Sequence, residues 1–154
     1  MNVKLVKLLI EKGYKISAAE SCTGGMFASS IVDVADASKV LDMSFVTYAS
    51  KAKVELINVS EKTINTYGVV SEEVAKEMAL GVKQKAVSNI GVGITGLAGP
   101  SGGSVDKPVG MVCFGIAIND NVYTYTKQFG NIGRTNVRKE ATSFITQKLI
   151  EHLS

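Results

Sequence analysis

The residues of this chain best suited to chemistry lie between Ala18 and Gly25, where a serine, a thiol and a threonine hydroxyl precede two glycines. The segment follows a short apolar run and leads into Met26–Val32, which is predicted to begin a helix. Backbone N–H groups at such a turn are unpaired and attract anions. Ser21 could therefore act as a nucleophile, with these N–H groups stabilising the oxyanion. An ordinary helix N-cap followed by a glycine turn has the same residues, so both interpretations stay open.

A base for this serine is not expected to be a histidine. The only histidine, His152, is the third residue from the end, where a solvated position in the last helical turn is expected. A Ser-His-Asp triad or a histidine metal site is therefore not predicted. Tyr48 and Lys53 bracket a predicted strand-to-helix turn. A lysine amine whose pKa falls through burial or a neighbouring cation can activate a serine, with the tyrosine holding the proton network, although a lone lysine is more often a solvated surface charge.

A glycine-rich loop, Thr95–Gly103, is the third segment of interest. Its four glycines are Gly96, Gly99, Gly102 and Gly103. Such a loop exposes backbone N–H groups and suits a phosphate or carboxylate, or it is a flexible surface connection. Arg134 and Arg138, one helical turn apart, could clamp a phosphate or form surface ion pairs. Cys22 is expected to be a small buried thiol rather than a nucleophile, because no histidine is near it.

The segment Gly91–Gly96 matches the pattern GxGxxG, but a dinucleotide site is not predicted. That fingerprint needs a strand before the first glycine and a helix after the last. Here the glycines fall within a predicted strand, and Leu97–Pro108 cannot open a helix. There is no GxxxxGK[ST] phosphate-binding loop either.

Composition bounds the class of protein. With 154 residues, 45% hydrophobic and 20% charged, the chain is expected to form one globular domain with a full core. A net charge of +3 without a basic run does not favour nucleic acid. The longest apolar stretches, such as Val109–Ile118, are too short to span a bilayer, and no signal peptide is expected. Cys22 and Cys113 form no CxxC motif, so neither disulfides nor zinc are predicted and a cytoplasmic setting is expected.

Hydrophobic periodicity and turn residues predict an α/β fold, a three-layer α/β/α sandwich with a mixed sheet of about five strands. The predicted strands are 15–19, 43–49, 89–95, 109–118 and 122–129, and the last two form a hairpin through Asn119-Asp120-Asn121. The predicted helices begin near Val3, Met26, Lys51, Ser60, Ser71 and Arg134. Val74, Met78 and Val82 recur at four-residue steps and are expected to form a buried stripe.

Four motifs in this order and spacing resemble the CinA C-terminal domain family, which includes stand-alone nicotinamide mononucleotide (NMN) deamidases. The motifs are Ala-Glu-Ser-Cys-Thr-Gly-Gly (19–25), Phe-Val-Thr-Tyr with a lysine five residues on (45–53), Gly-Val-Val-Ser-Glu-Glu-Val-Ala (68–75), and Thr-Gly-Leu-Ala-Gly-Pro-Ser-Gly-Gly with Lys-Pro-Val-Gly (95–110). The resemblance runs from about Leu5 to the end. It implies a three-layer fold and conversion of NMN and water to nicotinate mononucleotide and ammonia, a step of pyridine nucleotide salvage. It implies neither a metal nor an organic cofactor, and it implies a homodimer.

The resemblance also implies roles for individual residues. The family's nucleophilic serine falls on Ser21, its tyrosine on Tyr48 and its lysine on Lys53. Its residues around the mononucleotide fall on Thr23, Gly24, Gly25, Thr95, Gly96, Gly99, Gly102, Gly103 and Arg134. Ser21 would attack the carboxamide carbon while Lys53 takes its proton directly or through Tyr48, and the oxyanion would lie on N–H groups at the start of the following helix.

The chain departs from the family pattern at three places. Lys51 adds a cation near the expected base, where it could lower the pKa of Lys53 or face solvent. Ser101 and Gly133 stand where the family has acidic residues, which affects the expected ribose and phosphate contacts more than the chemistry. Larger family members carry an additional N-terminal domain that is not expected here. Two other hypotheses remain: a non-catalytic mononucleotide-binding or DNA-uptake accessory protein, and an amidase for a different small amide.

Overall fold

The computed structural model describes the whole chain, residues 1–154. Six helices surround five strands. The helices are α1 (Asn2–Lys12), α2 (Met26–Val32), α3 (Ser50–Ile57), α4 (Glu61–Tyr67), α5 (Glu72–Ala86) and α6 (Arg134–Leu153). The strands are β1 (Ile16–Glu20), β2 (Phe45–Val46), β3 (Ile90–Gly96), β4 (Met111–Ile118) and β5 (Asn121–Gln128). None of the helices is both long and apolar enough to cross a membrane.

The strands form one mixed sheet in the order β2-β1-β3-β4-β5. β1 is parallel to both β2 and β3, whereas β4 is antiparallel to β3 and to β5. The two antiparallel strands are joined by the predicted hairpin turn, in which Asn119 has a φ of +50°. The α/β fold with a mixed five-stranded sheet is therefore confirmed, and the parallel strands bring the carboxyl ends of β1 and β2 to the same edge.

One face of the sheet packs on α5, which crosses β1, β3 and β4. The helix begins at Ser71, whose hydroxyl accepts the N–H of Val74, and its stripe Val74, Met78 and Val82 is fully buried as predicted. The other face packs against α1, α2 and α6. Ile16, Val92 and Ile116 on the strands meet Leu5, Phe27 and Ile145 on these helices in the largest core cluster.

The glycines of the GxGxxG pattern serve this packing. A Cβ on Gly91 would lie 2.1 Å from the Ala79 carbonyl oxygen, and a Cβ on Gly93 would lie 2.3 Å from the Ala75 carbonyl oxygen. A Cβ on Gly115 of the neighbouring strand would lie 2.3 Å from the same Ala75 oxygen. Glycine is needed here because the backbone of α5 rests directly on the sheet. The pattern therefore marks a close helix–sheet contact and not a dinucleotide site.

Replacing Gly93 with alanine is expected to lower the free energy of unfolding by about 2–3 kcal/mol, because α5 must move away from the sheet. Urea denaturation monitored by circular dichroism measures the change. Gly130→Ala is the control: nothing lies within 4 Å of a Cβ there, so only the left-handed φ of +81° is strained, at a cost of about 1 kcal/mol. Equal destabilisation by the two variants would contradict the close-packing explanation.

The clearest error of the sequence-based prediction concerns β2. Residues 43–49 were expected to form a strand because they are β-branched and aromatic, yet only Phe45–Val46 does so. β2 is an edge strand that pairs only with the last two residues of β1, Ala19 and Glu20. The chain then leaves the sheet at Thr47 and turns into α3 at Ser50. The other strand ends shift by one or two residues, and α6 has the predicted bounds.

Candidate active site

The alternation of side chains along β1 sends Glu20 and Ser21 to opposite faces of the sheet. The fully buried carboxylate of Glu20 turns toward α2, where it accepts the N–H groups of Phe27 and Ala28, each at 2.9 Å. Ser21 leaves the strand on the opposite face, which also carries α3 and α5. Ser21 is buried, with 8% of its surface exposed to solvent.

Lys53 extends from α3 to meet Ser21. Its Nζ lies 3.0 Å from Ser21 Oγ, 2.6 Å from the Thr47 carbonyl oxygen and 3.1 Å from the Tyr48 carbonyl oxygen. The residue is fully buried, and no carboxylate pairs with it. Burial therefore lowers the pKa of the Lys53 amine from 10.5 to about 8. The amine therefore loses its proton at a lower pH than an exposed lysine does, although the charged form still predominates below pH 8.

The three oxygens around Lys53 Nζ favour a definite arrangement of the neutral amine. Carbonyl oxygens only accept, so the Thr47 and Tyr48 carbonyls take the two N–H groups of the amine. The lone pair that remains is directed at Ser21 Oγ. In this state the serine hydroxyl donates to the amine, whereas with a charged lysine it can donate instead to the Tyr48 carbonyl at 3.3 Å. The same geometry can therefore hold the proton on either group, as a general base requires.

The Tyr48 side chain does not join this network. Its ring is 61% exposed, and its hydroxyl accepts from Arg134 Nη2 at 3.0 Å. Only the carbonyl oxygen of Tyr48 contacts Ser21 and Lys53. The expected proton route through the phenol is therefore not supported, because the phenol belongs to a contact between the β2–α3 connection and the start of α6.

The N–H groups available to an oxyanion differ from those expected. The first turn of α2 is occupied, because Glu20 takes the N–H groups of Phe27 and Ala28. The turn before it is free: the N–H groups of Cys22, Thr23 and Gly25 have no acceptor within the protein. The N–H groups of Phe27 and Ala28 are therefore less available to an oxyanion than expected, and the place of the oxyanion stays a prediction. The free donors belong to the residues directly after Ser21, the position that donates to the oxyanion where a serine is the nucleophile.

Arg134 and Arg138 both donate hydrogen bonds to oxygen atoms of the protein, and a phosphate clamp stays a prediction. Arg138 donates from Nε to the Cys22 carbonyl oxygen and from Nη2 to the Thr23 carbonyl oxygen, both at 3.0 Å. Arg134 donates to the Gly99 carbonyl oxygen at 2.8 Å, in addition to Tyr48. Arg138 thus holds the turn formed by residues 21–25, and Arg134 links the glycine-rich loop to the exposed tyrosine.

The loop after β3 presents free donors near the same edge. The N–H groups of Gly99, Gly102 and Gly103 have no protein acceptor, and each glycine has a positive φ between +79° and +85°. Thr95 is less available than expected, because its buried hydroxyl donates to the Val69 carbonyl oxygen at 2.9 Å. Gly96 is required for packing, since a Cβ there would lie 2.8 Å from Val112. The loop therefore has two parts. Thr95 and Gly96 at its start hold it to the rest of the protein, and the three later glycines present free N–H groups.

Two threonine hydroxyls are buried without a hydrogen-bond partner in the protein, those of Thr23 and Thr47. Both residues are fully buried and flank Ser21 and Lys53 in the chain. Buried polar atoms without partners are rare and cost stability. They are therefore candidate contacts for a bound substrate or a water molecule.

Three other residues considered in the sequence analysis are Lys51, Cys22 and His152. Lys51 is 81% exposed at its side chain and lies 3.7 Å from Glu55, so it faces solvent and is not among the causes of the low Lys53 pKa. Cys22 is buried as expected, and burial raises the pKa of its thiol to about 11. His152 is half-buried in the last turn of α6, where it stacks on Tyr123 and contacts the Tyr125 hydroxyl at 2.6 Å. It lies against β5, at the opposite edge of the sheet from β2.

Three functional features were absent from the sequence-based prediction: the carbonyl pair that holds Lys53, the Glu20 cap, and the Arg138 fork. The carbonyls carry no side-chain signature, so no sequence pattern identifies them. Glu20 offered one signal, because an acidic residue on a buried strand of small apolar residues needs hydrogen-bond donors for its carboxylate.

Comparison with known proteins gives consistent matches. A family model described as the CinA C-terminal domain matches residues 1–153. A relative named nicotinamide-nucleotide amidohydrolase PncC, from Enterobacter agglomerans, is 46% identical over 147 residues, covering 96% of this chain and 90% of that protein. Solved structures of a CinA superfamily protein from Klebsiella pneumoniae and a competence/damage inducible protein from Agrobacterium tumefaciens superpose with TM-scores of 0.95 and 0.91. They are 31% and 36% identical, and cover 99% and 98% of this chain and 94% and 95% of theirs.

Other relatives are longer than this chain. A CinA-like protein from Kosmotoga olearia is 44% identical over 140 residues, which cover 91% of this chain but 34% of that protein. The chain spans between 33% and 37% of the length of each of the other competence-related relatives. The shared part is thus one segment of those proteins.

Proposed function

The chain belongs to the CinA C-terminal domain family, and from that membership and the geometry around Ser21 we propose that it is an amidohydrolase that converts NMN and water to nicotinate mononucleotide and ammonia. The observation that carries the proposal is the buried Lys53 amine, 3.0 Å from Ser21 Oγ and without a carboxylate partner. The similarity to a nicotinamide-nucleotide amidohydrolase over most of both chains supports the choice of substrate.

The first half of the reaction acylates Ser21. Neutral Lys53 takes the hydroxyl proton directly, since the two atoms are in hydrogen-bond contact, and Ser21 Oγ bonds to the carboxamide carbon. The negative charge that develops on the amide oxygen is stabilised by free N–H groups of the turn, those of Cys22 and Thr23. Lys53 then gives its proton to the amide nitrogen, the carbon–nitrogen bond breaks, and ammonia leaves.

The second half restores the serine. Lys53 is again neutral and takes a proton from a water molecule, which attacks the ester carbon. The ester bond breaks, Ser21 Oγ receives the proton from Lys53, and the carboxylic acid product departs and releases its proton to water. The Thr47 and Tyr48 carbonyls hold the amine in place throughout, because they accept its N–H groups in both halves.

The mononucleotide phosphate needs donors at some distance from the carboxamide. The free N–H groups of Gly99, Gly102 and Gly103 supply them, with Arg134 at the base of the same loop. Thr23, Gly24, Gly25, Thr95 and Gly96 complete the proposed binding residues. A homodimer remains a prediction from the family resemblance.

The experiment that tests the function is ammonia release by the purified chain from NMN, with nicotinamide, glutamine and NAD as comparison substrates. Turnover of NMN alone, with nicotinate mononucleotide as product, is expected. Turnover of another amide in its place would support an amidase of different specificity. Binding of NMN without release of ammonia from any substrate would support a non-catalytic binding module.

A Tyr48→Phe variant separates the two expected proton routes. The variant keeps the backbone carbonyl that holds Lys53 and loses only the hydroxyl bonded to Arg134. We expect kcat to stay within about tenfold of the parent, with most of any loss in KM, because a substrate-side contact is removed and the base is intact. Steady-state kinetics with NMN measures this. A kcat as low as that of a chain without Ser21 would put the phenol in the proton route.

A further inference from the structure

Arg138 contacts the nucleophile turn (residues 21–25) more closely than any other side chain of α6. Its Nε and Nη2 bind the carbonyl oxygens of Cys22 and Thr23, both at 3.0 Å, and a Cβ on Gly24 would lie 3.4 Å from Nη2. The guanidinium forms no ion pair, so its charge is directed at these two peptide groups alone. Two parallel bonds from a planar fork fix orientation as well as position.

The covalent geometry of the peptide links this contact to the free donors. The Cys22 carbonyl and the Thr23 N–H belong to one peptide group, and in a trans peptide the two bonds point in opposite directions. A guanidinium on the carbonyl therefore turns the Thr23 N–H to the other side of the turn and makes it a stronger donor, since hydrogen bonds polarise one another. That N–H has no protein acceptor.

Glu20 acts at the other end of the same turn. Its carboxylate takes the N–H groups of Phe27 and Ala28, which removes the first turn of α2 as a competing anion site. The buried acid also faces away from Lys53, so that no carboxylate stabilises the charged amine. Two of the free donors that remain, the N–H groups of Cys22 and Thr23, belong to residues whose carbonyl oxygens Arg138 holds.

We propose that Arg138 is a positioning residue that orients and polarises the peptide between Cys22 and Thr23, so that the Thr23 N–H serves as an oxyanion donor for the attack by Ser21. Arg138 acts through the backbone and does not touch the substrate. The inference rests on the proposed function only in taking Ser21 as the nucleophile, and it does not depend on the identity of the amide.

An alkyl fluorophosphonate tests the inference without the natural substrate. Ser21 Oγ bonds to phosphorus, the phosphorus–fluorine bond breaks, fluoride leaves and the hydroxyl proton passes to Lys53. The phosphoryl oxygen carries the charge that the turn must stabilise. Intact-mass spectrometry gives the labelling rate constant between pH 6 and 10 for the parent, Arg138→Lys, Arg138→Ala and the control Lys139→Gln, which removes an exposed charge from the next position of α6.

We expect the maximum labelling rate to fall by about tenfold to a hundredfold in both Arg138 variants, with the midpoint of the pH profile unchanged because Lys53 keeps its surroundings. Guanidinium ion, far below denaturing concentrations, is expected to restore part of the rate in Arg138→Ala. Lys139→Gln is expected to react as the parent does.

Labelling of both Arg138 variants at the parent rate overturns the inference. A second contradicting result is a fall in labelling rate that parallels a fall in melting temperature, comes with a shifted midpoint of the pH profile and is not reversed by guanidinium. That combination would indicate a merely structural role. A parent chain whose Ser21 resists the probe also overturns the inference. Labelling of Ser21 in a chain that does not hydrolyse NMN would instead reject the proposed substrate and leave the role of Arg138 standing.

Discussion

Replacing Ser21 with alanine is expected to lower NMN turnover by about 10⁴-fold or more, because no other nucleophile is placed to attack the carboxamide. Cys22, the adjacent thiol, cannot substitute: burial raises its pKa to about 11 and keeps it protonated. The fold should survive, since the Ser21 side chain contacts only Lys53 and the Tyr48 carbonyl. Ammonia release by the parent and the variant, at matched melting temperature, measures the effect.

Ser29→Ala is the matched control for this prediction. Ser29 lies exposed on α2, and its hydroxyl forms no hydrogen bond. The same substitution there should leave turnover unchanged. A folded Ser21→Ala chain that retains full turnover would contradict the nucleophilic role.

Replacing Lys53 with methionine is expected to have an effect of similar size. Methionine fills nearly the same buried volume but offers neither a base nor donors for the Thr47 and Tyr48 carbonyls. The nucleophile would then lose its proton acceptor, and kcat is expected to fall by about 10³-fold or more. Lys51→Met, which changes an exposed lysine two residues away, should leave kcat unaltered. Comparable losses in the two variants would remove Lys53 from the chemistry.

The pH dependence of the parent follows from the same residue. The neutral amine is the active form, so kcat/KM should rise with pH, by about tenfold per unit below a midpoint near 8, and then level off. The free energy of unfolding is also expected to increase as the pH rises. Below pH 8 Lys53 is charged in both the folded and unfolded states, and the full cost of burying the charge is present. Between 8 and 10.5 the folded chain releases a proton that the unfolded chain keeps, so this cost diminishes as the pH rises. A value of kcat/KM that falls between pH 6 and 8 would contradict the neutral-lysine mechanism.

Local signals were sufficient to predict much of the fold. α6 has the predicted bounds, and α5 begins at the predicted cap because Ser71 and the acids after it favour a helix start. β2 was overpredicted because β-propensity reports the fit to a pleated surface, while the length of an edge strand is set by its partner. Only two residues of β1 are available to it, and that constraint is tertiary.

The site was predictable to the extent that its chemistry resides in side chains. The family resemblance implied that Ser21 and Lys53 act as a pair, and the structure brings them together. From its residue type alone Lys53 could equally have been a solvated surface charge. The groups that tune them are backbone carbonyls and N–H groups, which any residue type can supply. Arg138 was interpreted, together with Arg134 one helical turn before it, either as part of a phosphate clamp or as a partner in surface ion pairs. The sequence could not indicate that it would be 3.0 Å from the carbonyl oxygens of the nucleophile turn.

The central claim is that Ser21 carries the acyl group of the substrate, and rapid acid quenching of the reaction with NMN tests it most directly. Intact-mass and peptide spectrometry of the quenched protein should reveal an adduct with the mass of NMN less ammonia, confined to the peptide that contains Ser21. The adduct should be absent from Ser21→Ala. Two results together would contradict the account: the parent chain turns over NMN with no adduct at any quench time, and Ser21→Ala turns over NMN at the same rate. They would indicate direct attack by water.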